Sequence, residues 1–213
     1  TKEAEAWPRL GERNFEPFIS SVMARQPTYL FSAHWGDDAI AVVRQAKAMG
    51  AFEKTKFIMS TMACDEFRVL GRADAMDGVI FGGFGGYWWE DQNPVMQAYG
   101  KRWYKRLGYY PGYSSATAYG GLHVILQIIE ATKGSAKPED ILKVMFDRQW
   151  DSLAGKVPVR KIDHQLMFPY QVGETVVIDQ PPYVKLKDMR ILSAEQVSLT
   201  AEELTALRAA VKK

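Results

Sequence analysis

One cysteine, three histidines and a net charge of only +2 are all that this 213-residue chain offers to disulfides, metals and polyanions. The lone Cys64 excludes an intrachain disulfide and a cysteine-rich metal site; in its short apolar-polar context it reads as a small buried hydrophobe. His34, His123 and His164 lie too far apart for metal-ligand spacing, so neither a metal nor a cofactor is expected. The basic residues are scattered. Their densest group, Lys101-Arg102 with Lys105-Arg106, falls on one side of a predicted helix whose other side carries Val95, Tyr99 and Trp103. It reads as a solvated face, not a nucleic-acid surface. No apolar run reaches the ~18 residues of a membrane span, so direct insertion in a membrane is not expected. The opening TKEAEAWPRLGERNF is charged and lacks the apolar core of a signal peptide, so any signal is expected upstream or already removed. Internal repeats and low-complexity tracts are missing as well.

What is present is a globular composition, 47% hydrophobic and 24% charged, long enough for one large domain or two small ones. Asn14 opens a predicted helix with Glu16 and Pro17 in its first turn and Phe18, Ile19, Val22 and Met23 as its buried stripe. Then comes the most informative stretch, YLFSAHWGDDAIAVVRQAKAMG from Tyr29 to Gly50. A short apolar strand empties through Ser32 to Asp38 into a helix with Ala39, Val43, Ala46 and Met49 at helical spacing. Phe57 to Met59 and Val79 to Phe81 read as second and third strands, with Ser60 to Ala63 and a polar helical segment, Asp65 to Leu70, after the second. Strands alternating with helices imply βαβ units and a parallel sheet. In such sheets the strand-to-helix elbow is where ligands sit, because carboxyl ends of strands and amino ends of helices meet in a crevice.

Gly82 to Trp89, four glycines among aromatics, reads either as a crossover between two lobes or as a surface loop. Helices are predicted over Pro94 to Leu107, Ser115 to Ala131 and from Pro138 to before Trp150, with Ala118, Leu122, Ile125 and Ile129 as the apolar face of the second. Three consecutive helices without a sheet of their own need a partner surface. Val157 to Val159, Gln165 to Val172 and Thr175 to Ile178 read as β-structure with a hairpin turn at Gly173-Glu174, and Thr200 with Glu203 forms a capping box ahead of a final helix.

Catalytic motifs are not evident. Ser60, Ser114 and Ser115 stand outside any G-x-S-x-G elbow, and the glycine run lacks the Lys-Ser/Thr ending of a phosphate loop. Asp37-Asp38 at a helix start complement the helix dipole, and Asp163 beside His164 does not by adjacency orient an imidazole. The remaining candidates, Trp35, Thr61, Phe84, Tyr87 and Trp88, with His34 beside them, are aromatic and polar groups near strand ends, a set suited to capturing a small organic molecule.

Five segments in register, NFEPFISSV, YLFSAHWGDDAIAVVRQAKAMG, DGVIFGG, SATAYGGLHVILQIIEA and WDSLAGKVPVRKIDHQLMFPYQVGE, resemble the extracytoplasmic solute-binding proteins of ABC importers, of the branched-chain-amino-acid type. The resemblance runs from Asn14 to about Val177. It implies an α/β, two-lobed type I periplasmic-binding-protein fold, here a partial chain lacking most of the amino-terminal lobe, that closes on its ligand like a hinged trap. It divides the chain into 1–83 in the carboxyl-terminal lobe, 84–152 as a crossover plus helices of the amino-terminal lobe, 153–184 as strands returning to the carboxyl-terminal lobe, and 185–213 as a terminal segment. By motif position Trp35 covers the ligand; beside it His34 and Thr61 are expected to offer hydrogen bonds, Tyr87 and Trp88 to line the hinge side, and Phe84 to be a further ligand-binding residue. Thr61 departs from an acidic residue that pairs with a ligand ammonium in amino-acid-binding members, which opens the ligand class to amides, urea-like solutes and aromatic acids beside amino acids. The implied partners are a small-molecule ligand and a membrane permease, and the implied location is periplasmic or extracytoplasmic. A sensory receptor domain of the same fold and a small amide-cleaving enzyme using His34 or His164 are the alternative readings.

Overall fold

A computed structural model describes residues 4–62, 64–83 and 93–211. Its larger body is built on a five-stranded sheet of order β1-β2-β3-β6-β7: β1 Tyr29–Ser32, β2 Lys56–Met59, β3 Ile80–Gly83, β6 Tyr170–Val177 and β7 Val184–Leu192. The first three strands are parallel, as the intervening helices α2 (Gly36–Ala48) and α3 (Cys64–Leu70) require. β6 and β7 then add antiparallel to β3 and to each other. Phe57 and Met59 of β2, Phe81 of β3, Val43 of α2 and Phe67 of α3 are fully buried in one cluster, with Ala39 and Ala46 beneath α2 as expected.

Helix α1 (Glu16–Met23) buries Ile19, but the expected Phe18 and Val22 are only partly covered. The anchor is Phe15, the residue before the helix, which is 1% exposed. Asn14 does not cap the helix; it only accepts from the Glu16 N–H at 3.2 Å. Gln45 of α2 takes the capping role, its Oε1 accepting from Phe15 N–H (2.6 Å) and Glu16 N–H (3.1 Å) while its Nε2 donates to Arg13 O (2.9 Å). One amide from a neighbouring helix thus satisfies donors that a local cap would have served.

The second body contains α4 (Pro94–Leu107), α5 (Tyr113–Ala131), α6 (Pro138–Met145) and the hairpin β4 (Gln149–Ser152)–β5 (Gly155–Pro158). Asn93 caps α4, accepting from Val95 and Met96 N–H groups. Two small clusters hold this body together: Met96, Tyr99, Ala116 and Leu153, and Val124, Ile128, Trp150 and Val159. The face of α5 that is buried is Ala116, Gly120, Val124 and Ile128, not the expected one. Leu122 and Leu126 are 62% and 61% exposed, and Ile125, Ile129 and Ala118 are exposed with them. α5 is apolar nearly all round, so its period alone does not select the face; the small residues at 116 and 120 let its neighbours approach closely.

Gly173-Glu174 is not a turn. β6 runs straight through it with a register shift against β7, where a Cβ on Gly173 would stand 3.0 Å from Lys187 O and 3.1 Å from Leu186 Cβ. The reversal comes later, between Ile178 and Tyr183, closed by the Ile178 N–H on Tyr183 O (2.9 Å). Beyond it, α7 (Ala194–Val197) leads to α8 (Ala201–Val211), which carries the expected capping box: Thr200 N–H donates to Glu203 Oε2 (2.7 Å) and Glu203 N–H to Thr200 Oγ1 (3.2 Å).

Candidate functional site

The carboxyl ends of β1 and β2 open onto the starts of α2 and α3, and His34, Trp35 and Thr61 come together there. At the end of β1 the buried Ser32 Oγ and His34 Nδ1 lie 2.9 Å apart, one hydrogen bond whose direction follows the imidazole tautomer. Phe15 meets the imidazole edge-on at 5.2 Å. Burial lowers the His34 pKa, with the nearby Asp38 charge opposing, so the ring is neutral around pH 7.

Trp35 stands between two fixed neighbours. The Thr61 hydroxyl donates to His34 O at 2.7 Å, and the Gly36 N–H donates to Glu66 Oε1 at 2.8 Å. Gly36 itself has φ +59°, a left-handed conformation that favours glycine. The peptide units on both sides of Trp35 are thereby held from the β2–α3 side, while its own side chain is 64% exposed. An exposed indole on a clamped backbone is presented rather than packed. Because Thr61 spends its proton on His34 O, its exposed oxygen keeps acceptor capacity only.

Sequence reasoning missed the acidic pair that follows. Glu66 is buried and reaches the start of α2, where its charge complements the helix amino terminus. The Asp65 carboxylate packs on Gly112, the residue before α5: a Cβ there would fall 1.7 Å from Asp65 Oδ2, so the approach requires glycine. Burial first, then the Glu66 charge, raise the Asp65 pKa, with Arg68 opposing. Tyr170 at the start of β6 covers Gly82 and brings its hydroxyl 3.5 Å from Ser60 O, a long contact. Burial, then the neighbouring Tyr113, raise its phenol pKa. These contacts join the carboxyl edge of the sheet to the start of α5. The signal for Glu66 was present as two acids in the first turn of a helix after a strand, but that pattern equally describes ordinary dipole complementation.

Phe84, Tyr87 and Trp88 lie outside the described residues. The other histidines do not join the site. His123 sits on α5 beside Tyr119, and His164 packs on Phe146 while its neighbour Asp163 pairs with Arg160 at 2.5 Å. Among the described residues, no group of three or more His, Cys, Asp or Glu could hold a metal ion, and no helix is long and apolar enough to cross a membrane.

Comparison with known proteins places this geometry. The profile of the family described as periplasmic binding protein matches residues 4–179. The Leu/Ile/Val-binding protein homolog 4 of Brucella melitensis is 25% identical over 167 residues, 76% of this chain and 38% of that protein. A solved amino acid ABC transporter substrate-binding protein from Pseudomonas fluorescens Pf-5 superposes with a TM-score of 0.76 at 22% identity, covering 92% of this chain and 51% of that one. A leucine-, isoleucine-, valine-, threonine- and alanine-binding protein from Brucella ovis, in a closed conformation, gives 0.67 at 20% identity over 89% of this chain and 49% of that one. A Rhodopseudomonas palustris solute-binding protein solved with 3,4-dihydroxybenzoic acid gives 0.68 at 15%, over 84% and 49%. The chain spans about two fifths of the curated relative and about half of each solved structure.

Proposed function

This chain belongs to the periplasmic binding protein family, with the mixed α/β architecture of its type I fold, and from that premise we propose that it is part of the solute-binding component of an ABC importer. The whole protein captures a small polar organic molecule between two lobes in an extracytoplasmic compartment and delivers it to a membrane permease. Residues 1–83 and 170–184 form the carboxyl-terminal lobe, 84–169 the crossover with the helices and hairpin of the amino-terminal lobe, and 185–213 a terminal segment. Separate apolar clusters in the two bodies support a division into two lobes, but Leu153 and Val159 pack in the helical clusters and β5 pairs with β4, so the return to the carboxyl-terminal lobe falls at β6 rather than at residue 153.

The observation that carries the reading is Trp35, exposed on a backbone held at both neighbouring peptides. A trap needs a wall that is rigid before the ligand arrives, because ordering it afterwards costs affinity. Trp35 covers the ligand, Thr61 accepts a hydrogen bond from it, and the neutral His34 supplies a second polar contact. Tyr87 and Trp88 belong to the hinge side, and Phe84 is a further ligand-binding residue. Closure is a population shift, so affinity resides in contacts made only in the closed form. The site captures and does not turn over: Ser32, the serine beside His34, is 4% exposed and shielded from substrate.

The ligand is a branched-chain or other amino acid, an amide, a urea-like solute or an aromatic acid. Calorimetric titration of the whole protein with leucine, isoleucine, valine, threonine, urea, acetamide and 3,4-dihydroxybenzoate tests this. Saturable binding of at least one, weakened by Trp35→Ala, is the expected result; binding of none, or binding indifferent to Trp35→Ala, overturns it.

A further inference from the structure

On the side of α3 facing away from the elbow there is a cavity of about 270 Å³. Cys64 and Arg68, one helical turn apart, form its α3 wall, whereas Glu66, which serves the elbow, points to the opposite side of that helix. The other walls are Tyr104 from α4, Tyr109 and Tyr110 from the segment before α5, and Tyr183 from the β6–β7 reversal. It therefore lies where the helical body meets the sheet body, and none of the elbow residues lines it.

Its chemistry is specific. The Tyr104 and Tyr110 rings lie 4.8 Å apart at 39°, making one aromatic wall, and the Arg68 guanidinium sits 4.8 Å over the Tyr109 ring. Stacking fixes the plane of a guanidinium and leaves its N–H fork free for an oxyanion. Arg68 makes no ion pair with another described residue, and no carboxylate lines the cavity with it. Asp65, one turn earlier on the same helix, feels the Arg68 charge but packs on Gly112, and no salt bridge joins the two. A concave aromatic site with one unpaired, preoriented guanidinium selects an anion carrying a flat apolar body. Pockets for larger ligands span ~300–1,000 Å³, so this volume suits a single ring.

We propose that this cavity is a second ligand site, one that binds a single-ring aromatic carboxylate with the ring among the tyrosines and the carboxylate on Arg68. The proposal stands apart from the elbow, and its test is arranged accordingly. Fluorine NMR titration with 4-fluorobenzoate is run on the whole protein carrying Trp35→Ala, so that binding at the elbow does not contribute. Saturable binding is expected, weakened about tenfold or more by adding Arg68→Gln and weakened by Tyr109→Leu, with 4-fluorobenzamide failing to compete. Arg68 is exposed, so its replacement leaves the thermal melt unchanged. The proposal is overturned if 4-fluorobenzoate does not saturate, if Arg68→Gln binds it as tightly, or if the amide competes equally. The Arg68→Gln and Tyr109→Leu arms assign the site, because both residues line the cavity and neither belongs to the elbow.

Discussion

The sheet body and the helical body solve the burial problem to different degrees. In the first, α2, α3 and the strands enclose one continuous cluster that includes Phe15, Phe57, Met59, Phe67 and Phe81. In the second, α4, α5, α6 and a hairpin share two small clusters, and α5 turns Leu122, Ile125, Leu126 and Ile129 to solvent. Exposed apolar patches of that kind mark interaction surfaces. The difference is one of degree: the sheet body encloses a continuous cluster yet still exposes Tyr29 and Phe31 on β1, whereas the helical body splits its core in two and leaves four large aliphatic residues of one helix open. The elbow at the carboxyl ends of β1 and β2 sits on the body with the continuous core, where its backbone is held by packing and hydrogen bonds.

The comparison can be broken most forcefully in the cores. Phe57→Ala, at a site 1% exposed, is expected to cost about 3–5 kcal/mol in denaturant unfolding of the whole protein. Leu126→Ala, at a site 61% exposed here, is expected to cost about 2–4 kcal/mol in the same protein if α5 is covered by another part of it. A cost below about 0.5 kcal/mol, the usual value for a surface site, would remove the contrast between the bodies.

Next comes the elbow. Trp35→Ala should weaken ligand binding by about 2 kcal/mol, as loss of a central aromatic anchor does, without a matching loss of stability, because the indole is exposed. An equal loss of both would mean that Trp35 is packing and not a cover. Thr61→Val deletes the bond to His34 O and should cost about 1 kcal/mol of stability, while Thr61→Ser keeps the hydroxyl and restores most of it.

The smallest effect concerns pH. Burial places the folded pKa of His34 below 6.5, so the unfolded chain takes up the proton first. Stability from this group is complete above pH 6.5 and is lost as pH falls through the folded pKa. His34→Gln should flatten the melting temperature between those limits; parallel wild-type and variant profiles there would show that the imidazole is not desolvated.

Much of the sheet body was legible because its signals are local and agree with one another: apolar strand, polar break, amphipathic helix, twice over. His34, Trp35 and Thr61 were legible as the ends of those strands. Glu66 was not, because its role depends on Gly36, thirty residues away, and nothing in the CDEF stretch distinguishes a bonded carboxylate from a solvated one. The α5 face was misassigned for the opposite reason, an excess of apolar residues that fits more than one stripe. β4 and β7 escaped because QWDS is short and VKLKDMRIL is studded with charges that the β6 partner and solvent accommodate. Glu174, read as a turn residue, instead lies mid-strand, bonded to Lys56 at 2.7 Å and Lys187 at 3.2 Å.

The central claim is that these two bodies belong to two lobes that close on a ligand. Small-angle X-ray scattering of the whole protein, with and without whichever solute binds in the calorimetric panel, tests it most directly. The account predicts a smaller radius of gyration at saturation. A fully liganded protein whose radius of gyration is unchanged would contradict it.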